Sequence, residues 1–290
     1  QSYSVTDFQA ALGEKLELAI ELSENYAVYQ NFFAKLPEKH RWIFNSDTAL
    51  LPKLQNALAS EPLRLGTLQA NQIYWSDILQ SILAAEHIFY RRSETLINST
   101  IKSLVERDLL SATILARSLL EVCMWHVYHA VIFAKSTKPS LKNVNTHLID
   151  NSELQDMLIK LIWGSKQKGI IAEVKQHNVY KVFTEVAKNL KNSEFDVEKS
   201  YDFLSEFSHP NVEGNNIFID DDINANKKPI LEVAFNITQK QCDTETRRIS
   251  ECCGETLIWC IQSIIFSSKK YQAAERNIAK SFGLKKSTFH

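Results

Sequence analysis

The chain has 290 residues, with 34 acidic and 33 basic side chains and a formal net charge of −1. A dedicated nucleic-acid-binding protein normally carries a basic excess, so this balance confines any RNA contact to a local patch. Only 7 glycines and 6 prolines interrupt the sequence, which favours long helices over many short strands.

The cysteine pattern indicates a reducing compartment. The chain has 5 cysteines, an odd number, and none forms a C-x-x-C pair. Cys252 and Cys253 are adjacent, so a helix would direct them to different sides. These features argue against a disulfide framework or a zinc site, and they predict a cytoplasmic protein without a secretory leader.

Apolar residues recur at helical spacing along most of the chain, which predicts a mainly α protein built as a bundle of long helices. The first predicted helix is capped by Thr6 and ended by Pro37, and a short helix with turns at Pro52 and Pro62 follows. The predicted helices span about residues 6–36, 50–59, 76–105, 109–134, 152–163, 170–192 and 238–267, and a basic tail helix follows them.

Strand character is concentrated near residues 216–235. Two apolar runs there flank a polar stretch, Asp220–Pro229, and predict a small β-hairpin with a long loop. We predict an N-terminal helical segment of residues 1–72 that packs on a main domain of residues 73–290, or else a single domain of residues 1–290.

The predicted helix at residues 109–134 is unusually apolar, because Arg117 and Glu121 are its only fully ionised side chains. A bilayer span needs roughly 20 apolar residues, so this helix is long enough to cross a membrane. Two charges in mid-span would make such a crossing costly. The pattern therefore favours a buried central helix and no membrane contact.

Arg117 and Glu121 are four residues apart and share one helix face, which Tyr128 continues. On so apolar a helix both ionised groups are expected to be at least partly buried and to need partners. Two interpretations stay open. The pair forms an internal ion pair that ties the helix to a neighbour, or it belongs to a functional site inside the bundle.

The segment Tyr201–Pro210 predicts a short amphipathic helix stopped by Pro210, with His209 at the stop. Ser205 and Tyr201 lie four and eight residues before His209, so all three can line one side of the helix. His209 either caps this helix or acts as a general acid/base or anion ligand that faces Arg117 and Glu121. Tyr201, Ser205 and Tyr128 are the candidate binding residues.

Metal and cofactor motifs are missing from the sequence. His126 and His129 are three residues apart, but no carboxylate is spaced to complete a metal site. The acidic run Asp220–Asp222 lacks the glycine and terminal glutamate of a calcium-binding EF-hand loop. The sequence also contains no Walker loop, no G-x-G-x-x-G and no G-x-S-x-G motif, so we predict no metal and no cofactor.

Two stretches together carry a resemblance to known proteins. Ala116-Arg117-Ser118-Leu119-Leu120-Glu121, followed by Tyr201-x-x-Leu204-Ser205-x-x-x-His209-Pro210, resembles a group of uncharacterised bacterial helical proteins. That group looks distantly similar to the HEPN superfamily, helical domains of toxin–antitoxin and abortive-infection systems. The resemblance covers roughly residues 109–214.

This resemblance implies an activity with specific residues. In catalytic HEPN proteins, an Arg and a His four to six residues later on one helix cut RNA, usually across a homodimer. No His follows Arg117 at that spacing, because His126 comes nine residues later. His209, from a different helix, would have to replace the missing histidine.

Two functional hypotheses follow. The first is a non-catalytic helical module, in bacterial defence or stress response, that binds a protein or a small ligand. The alternative is a metal-independent HEPN-like ribonuclease or toxin, in which Arg117 stabilises the phosphorane, His209 is the acid/base and Glu121 orients one of them. Under both hypotheses we expect a homodimer formed through the long helices, with RNA as a partner only under the second.

Overall fold

The computed structural model of the protein describes residues 3–13, 15–36, 42, 47–59, 63–137, 147–149, 151–164, 182, 184, 186, 195–207, 209 and 244–284. This described part is all-α, with eight helices and no strand. In chain order the helices are α1 (Val5–Ala11), α2 (Leu16–Phe33), α3 (Asp47–Leu58), α4 (Leu63–Val105), α5 (Leu109–Ser136), α6 (Ser152–Trp163), α7 (Val197–Glu206) and α8 (Thr244–Phe282).

Contacts within the chain divide it into two compact units, each assembled from three separate stretches. Unit 1 comprises Gln1–Ala34, Arg92–Met124 and Phe183–Ser263, and unit 2 comprises Lys35–Arg91, Trp125–Val182 and Ile264–His290.

The single helix predicted for residues 6–36 is wrong, because two helices, α1 and α2, occupy this stretch. Gly13 lies between them with φ of +65°, a left-handed conformation that glycine adopts without steric penalty. Ser4, rather than Thr6, caps α1. The Ser4 Oγ accepts the Asp7 backbone N–H at 3.2 Å, and an Asp7 carboxylate oxygen accepts the Ser4 backbone N–H at 2.8 Å.

Two further boundaries differ from the prediction. α4 begins at Leu63 instead of residue 76, because Asn71 and Trp75 are buried and hydrogen-bonded in unit 2. α8 continues to Phe282, so the predicted end near residue 267 and the separate tail helix are wrong. Ser267 and Ser268 are both buried there, and this packing sustains the helix despite the modest helix propensity of serine.

Pro52 lies inside α3 rather than in a flanking turn. A proline in a helix interior removes one backbone hydrogen bond and is costly. Leu50 and Ala57 are buried on either side of it, so tertiary packing offsets that cost.

The predictions for α5 and α6 are confirmed, α6 at both ends and α5 at its start. The predicted β-hairpin at residues 216–235 lies outside the described residues, and so does most of the predicted helix at 170–192.

Unit 2 has a continuous apolar core to which α4, α5, α6 and α8 contribute. Trp75 is fully buried and stacks on Phe282, with ring centroids 5.3 Å apart. The Trp75 Nε1–H donates to the Ile149 carbonyl oxygen at 2.7 Å, and the Asn71 side chain bonds the same segment at Ile149 N and His147 O. Side chains of α4 thus anchor the connection that leads into α6.

In unit 1, α7 packs against α5 and α8. Its buried face consists of Tyr201, Leu204 and the capping residue Phe207. Arg117 of α5 contacts Tyr201, and Arg248 of α8 lies over the ring of Phe203. An isolated helix of ten residues is unstable in water, so these contacts must hold α7 in place.

Among the described helices, two are long and apolar enough to cross a membrane by length and composition, namely α5 and residues Thr246–Phe282 of α8. In their most apolar windows, 50% and 67% of the residues are buried inside the protein. The core helix of a soluble protein passes the same test, so this property does not distinguish a membrane span from a core helix.

Candidate ligand-binding site around Arg117

Local sequence explains why α7 forms where it does. Asp196 caps the helix, since its side chain accepts the backbone N–H of Lys199 at 3.1 Å. Tyr201 and Leu204 are three residues apart and form the buried face, as expected for an amphipathic helix. This agrees with the short amphipathic helix predicted from the sequence.

Arg117 of α5 reaches two hydroxyl groups of α7. Its Nε–H donates to Ser205 Oγ at 2.8 Å, and its Nη2–H donates to the Tyr201 hydroxyl oxygen at 2.8 Å. The guanidinium carbon also lies 4.9 Å from the centre of the Tyr201 ring, within the range of a cation–π contact. We call these three residues, Arg117, Tyr201 and Ser205, the Arg117 cluster.

Ser205 is oriented by its own helix. Its hydroxyl group donates to the Tyr201 backbone carbonyl oxygen at 2.6 Å, which leaves the oxygen free to accept from Arg117. The Tyr201 side chain is 4% exposed, so its hydroxyl position is set by packing. The two acceptors are therefore held in place on α7 and do not depend on flexible side chains.

The charge of Arg117 is held by neutral partners. An arginine keeps its charge in a protein and carries five N–H groups in a planar fork. Two of these N–H groups bond the hydroxyls of Tyr201 and Ser205, and no salt bridge to Arg117 occurs among the residues that the structure describes. Arg117 as a residue is half-buried, so part of it is accessible to solvent or to a ligand.

The other predicted site residues lie in different surroundings. Glu121 is half-buried on α5, and the two hydrogen bonds of Arg117 run to α7 rather than to it. Tyr128 belongs to unit 2, where its ring packs edge-on against His129 with centroids 5.2 Å apart. His209 is exposed, two residues past the C-cap of α7, and no hydrogen bond joins it to Arg117.

Sequence reasoning missed a second arginine beside α7. The guanidinium carbon of Arg248 lies 4.7 Å from the centre of the Phe203 ring. Next to it on α8, Cys252 hydrogen-bonds Ser200 of α7, and burial followed by the charge of Glu255 raises the pKa of its thiol to about 11. The Arg247-Arg248 pair in the sequence could have indicated a cation here. Which aromatic ring Arg248 contacts, however, depends on how α8 packs against α7.

The histidines considered as metal ligands are part of the core of unit 2. His126 is buried, and the His129 Nδ1 lies 2.7 Å from the Trp125 carbonyl oxygen. Within the described ranges, no three His, Cys, Asp or Glu side chains are close enough to hold a metal ion. The four described cysteines, Cys123, Cys252, Cys253 and Cys260, are free thiols.

No protein-family model, no curated protein and no solved structure matches the chain. Any functional proposal therefore rests on the geometry of the chain's own residues, above all on the Arg117 cluster.

Proposed function

We propose that the protein is a non-catalytic helical module that binds an anionic group of a partner protein or of a small ligand at the Arg117 cluster. One observation carries this proposal. The guanidinium of Arg117 is half-buried and oriented by two hydroxyl groups, and none of the described acidic side chains forms a salt bridge with it.

The physical argument concerns what the hydroxyl partners do to the charge. They accept two hydrogen bonds and fix the plane of the guanidinium, but they do not neutralise it, as a carboxylate partner would. A preorganised cation with N–H groups to spare suits a carboxylate or phosphate, which the planar fork can bind through two parallel hydrogen bonds. Little side-chain entropy is then lost on binding.

The placement of His209 supports a binding role over catalysis. A general acid or base must reach the reacting group within about 3.2 Å, directly or through one water. His209 is exposed and has no hydrogen bond to Arg117, so no described contact holds the imidazole where Arg117 would bind a phosphate. A homodimer and a role in bacterial defence or stress response are part of the proposal through the resemblance alone.

The ribonuclease alternative has one favourable feature. The exposed imidazole of His209 follows Ser205 by four residues, so it is accessible to a substrate bound beside α7. In that case Arg117 would stabilise the phosphorane, His209 would transfer the proton and Glu121 would orient one of them.

The binding proposal is tested by titrating ¹⁵N-arginine-labelled protein with inorganic phosphate and following the arginine Nε–H signals by NMR. We expect the Arg117 signal to shift to saturation, because phosphate would bind the remaining N–H groups. Arg276 is the matched control, since it is exposed on α8 and its Nε–H donates to the Gln272 carbonyl oxygen, with no other described partner. Equal shifts at Arg117 and Arg276, or none at Arg117, would contradict the proposal.

A second assay separates binding from cleavage. Mixed-sequence RNA is incubated with the wild type, with Arg117→Lys and with His209→Ala, and the products are resolved on a gel. The binding proposal predicts no cleavage by any of the three proteins. Cleavage by the wild type that both substitutions abolish would replace the binding proposal with the ribonuclease.

A further inference from the structure

Two of the described acidic side chains lie in the interior of unit 2. Glu86 of α4 is 5% exposed and Glu275 of α8 is 9% exposed. A Glu86 carboxyl oxygen accepts a hydrogen bond from the Tyr90 hydroxyl group, and the Glu86 and Glu275 carboxyl groups lie close enough to hydrogen-bond when one of them carries a proton. We call these two acidic residues the Glu86–Glu275 pair.

Among the residues that the structure describes, no hydrogen bond or ion pair joins Glu86 to a basic side chain. Its partners among the described residues are a hydroxyl group and a second carboxyl group. From α8, the buried Tyr271 hydroxyl adds a polar group, and none of the described residues forms a hydrogen bond with it.

The imidazole contributed by α5 is also neutral. His126 is buried and stacks between Phe89 and Tyr271, with ring centroids 3.3 Å and 4.6 Å away. Burial, and then the neighbouring His129, lower the pKa of His126 well below its ordinary value. His126 therefore does not compensate a carboxylate at neutral pH.

Elementary electrostatics decides the protonation of such a pair. Moving one carboxylate out of water costs several kcal/mol, and two adjacent carboxylates also repel each other. A hydrogen bond between two carboxyl groups requires a proton on one of them. Burial, followed by the charge of Glu275, accordingly raises the pKa of Glu86 well above its ordinary value of 4.5, while the Tyr90 hydrogen bond opposes this rise.

We propose that Glu86 and Glu275 share a single proton inside unit 2, and that release of this proton to solvent destabilises the unit. The protonated pair bridges α4 and α8 by a hydrogen bond. Loss of the proton converts that bond into a contact between two buried negative charges. The protonated pair thus stabilises the packing of α4 against α8 in unit 2. This effect is independent of what the Arg117 cluster binds.

The sign of the pH dependence follows from the direction of the pKa shift. A carboxyl group whose pKa is higher in the folded than in the unfolded state stabilises the fold fully below the unfolded value. That stability is lost as the pH rises towards the folded pKa. Between the two values, each pH unit increases the unfolding equilibrium constant by up to about tenfold.

The test compares urea unfolding of the full chain between pH 4.5 and pH 9 for the wild type, Glu86→Gln and Glu255→Gln. A glutamine at position 86 keeps the shape and the hydrogen bonds to Tyr90 and Glu275 but needs no proton. We expect the wild-type unfolding constant to rise by up to about tenfold per pH unit and that of E86Q to rise much less. E255Q, an exposed position on α8, should follow the wild type.

A second measurement can be made on the wild-type protein, so it does not depend on whether a variant folds. Infrared spectroscopy of the wild type at pH 6 should show the carbonyl band of a protonated carboxyl group, since exposed carboxyls are ionised there. The double variant Glu86→Gln/Glu275→Gln, which has no carboxyl group at either position, should lack the band in the same spectrum. Parallel pH profiles for the wild type and E86Q, or no protonated-carboxyl band in the wild type, would overturn the proposal.

Discussion

The Arg117 cluster and the Glu86–Glu275 pair both place ionisable side chains against tyrosine hydroxyl groups, but they differ in access to water. Arg117 is half-buried, whereas Glu86 and Glu275 are almost fully buried. Arg117 has two hydroxyl acceptors and an aromatic ring around its charge. Glu86 has one hydroxyl donor and another acid as its partners.

The difference shows that hydroxyl partners stabilise a charge at a partly exposed position better than at a buried one. Hydroxyl acceptors and remaining solvent keep a guanidinium charged and available at a partly exposed position. Glu86 and Glu275 are shielded from water, so removal of the proton that we propose they share would bring two negative charges together in the interior. The first arrangement suits recognition of an anion, and the second suits a response to pH.

The largest expected change in stability comes from removing the guanidinium of the Arg117 cluster. Arg117→Met keeps the apolar stem but removes both charge-assisted hydrogen bonds and the contact with the Tyr201 ring. We expect urea unfolding at pH 7 to show a loss of about 3 kcal/mol. Arg276→Met, at an exposed position on α8, should change stability by no more than about 0.5 kcal/mol. Equal effects of the two substitutions would mean that Arg117 does not hold α7.

An intermediate loss of stability is expected on substituting Tyr90, which donates a hydrogen bond to Glu86 of the Glu86–Glu275 pair. Tyr90→Phe removes the hydroxyl donor of Glu86 and should cost about 2 kcal/mol at pH 5. Because the Tyr90 hydrogen bond lowers the pKa of folded Glu86, its loss should also extend the pH-dependent loss of stability to higher pH, with the same onset near the unfolded pKa. Urea unfolding at several pH values measures both changes.

Tyr26→Phe is the matched control for Tyr90. Tyr26 is also buried, but its hydroxyl group donates to the Asn98 side chain in unit 1. Its substitution should leave the pH profile in place. A profile that moves equally in both variants would show that Tyr90 has no specific effect on Glu86.

The smallest expected change in stability comes from removing a single hydroxyl group of the Arg117 cluster, that of Ser205. Ser205→Ala removes one acceptor of Arg117 and should cost about 1 kcal/mol in the wild type, but much less in the Arg117→Met background. Ser118→Ala is the control, because the Ser118 hydroxyl makes the same bond to a carbonyl oxygen four residues earlier. It does not receive a hydrogen bond from Arg117. A Ser205 effect that is unchanged without Arg117 would contradict a contribution through Arg117.

Prediction from sequence succeeded where the signal was short-range. The ends of α6 and the start of α5 follow from local capping and apolar spacing, and Tyr201 and Ser205 were placed on one face because they are four residues apart. It failed at Gly13, which ends a helix through its own backbone conformation, and at Ser267, where buried packing continues one.

Sequence alone determined that the described part of the chain is helical, that α5 carries an ionised residue on an apolar face, and that α7 presents two hydroxyl groups on one side. These properties depend on residues within a turn or two of each other. Tertiary structure decided that Arg117 bonds α7 and that Glu86 meets Glu275. Such contacts join residues far apart in the chain, and the apolar period of a helix shows which face is buried but not which helix covers it.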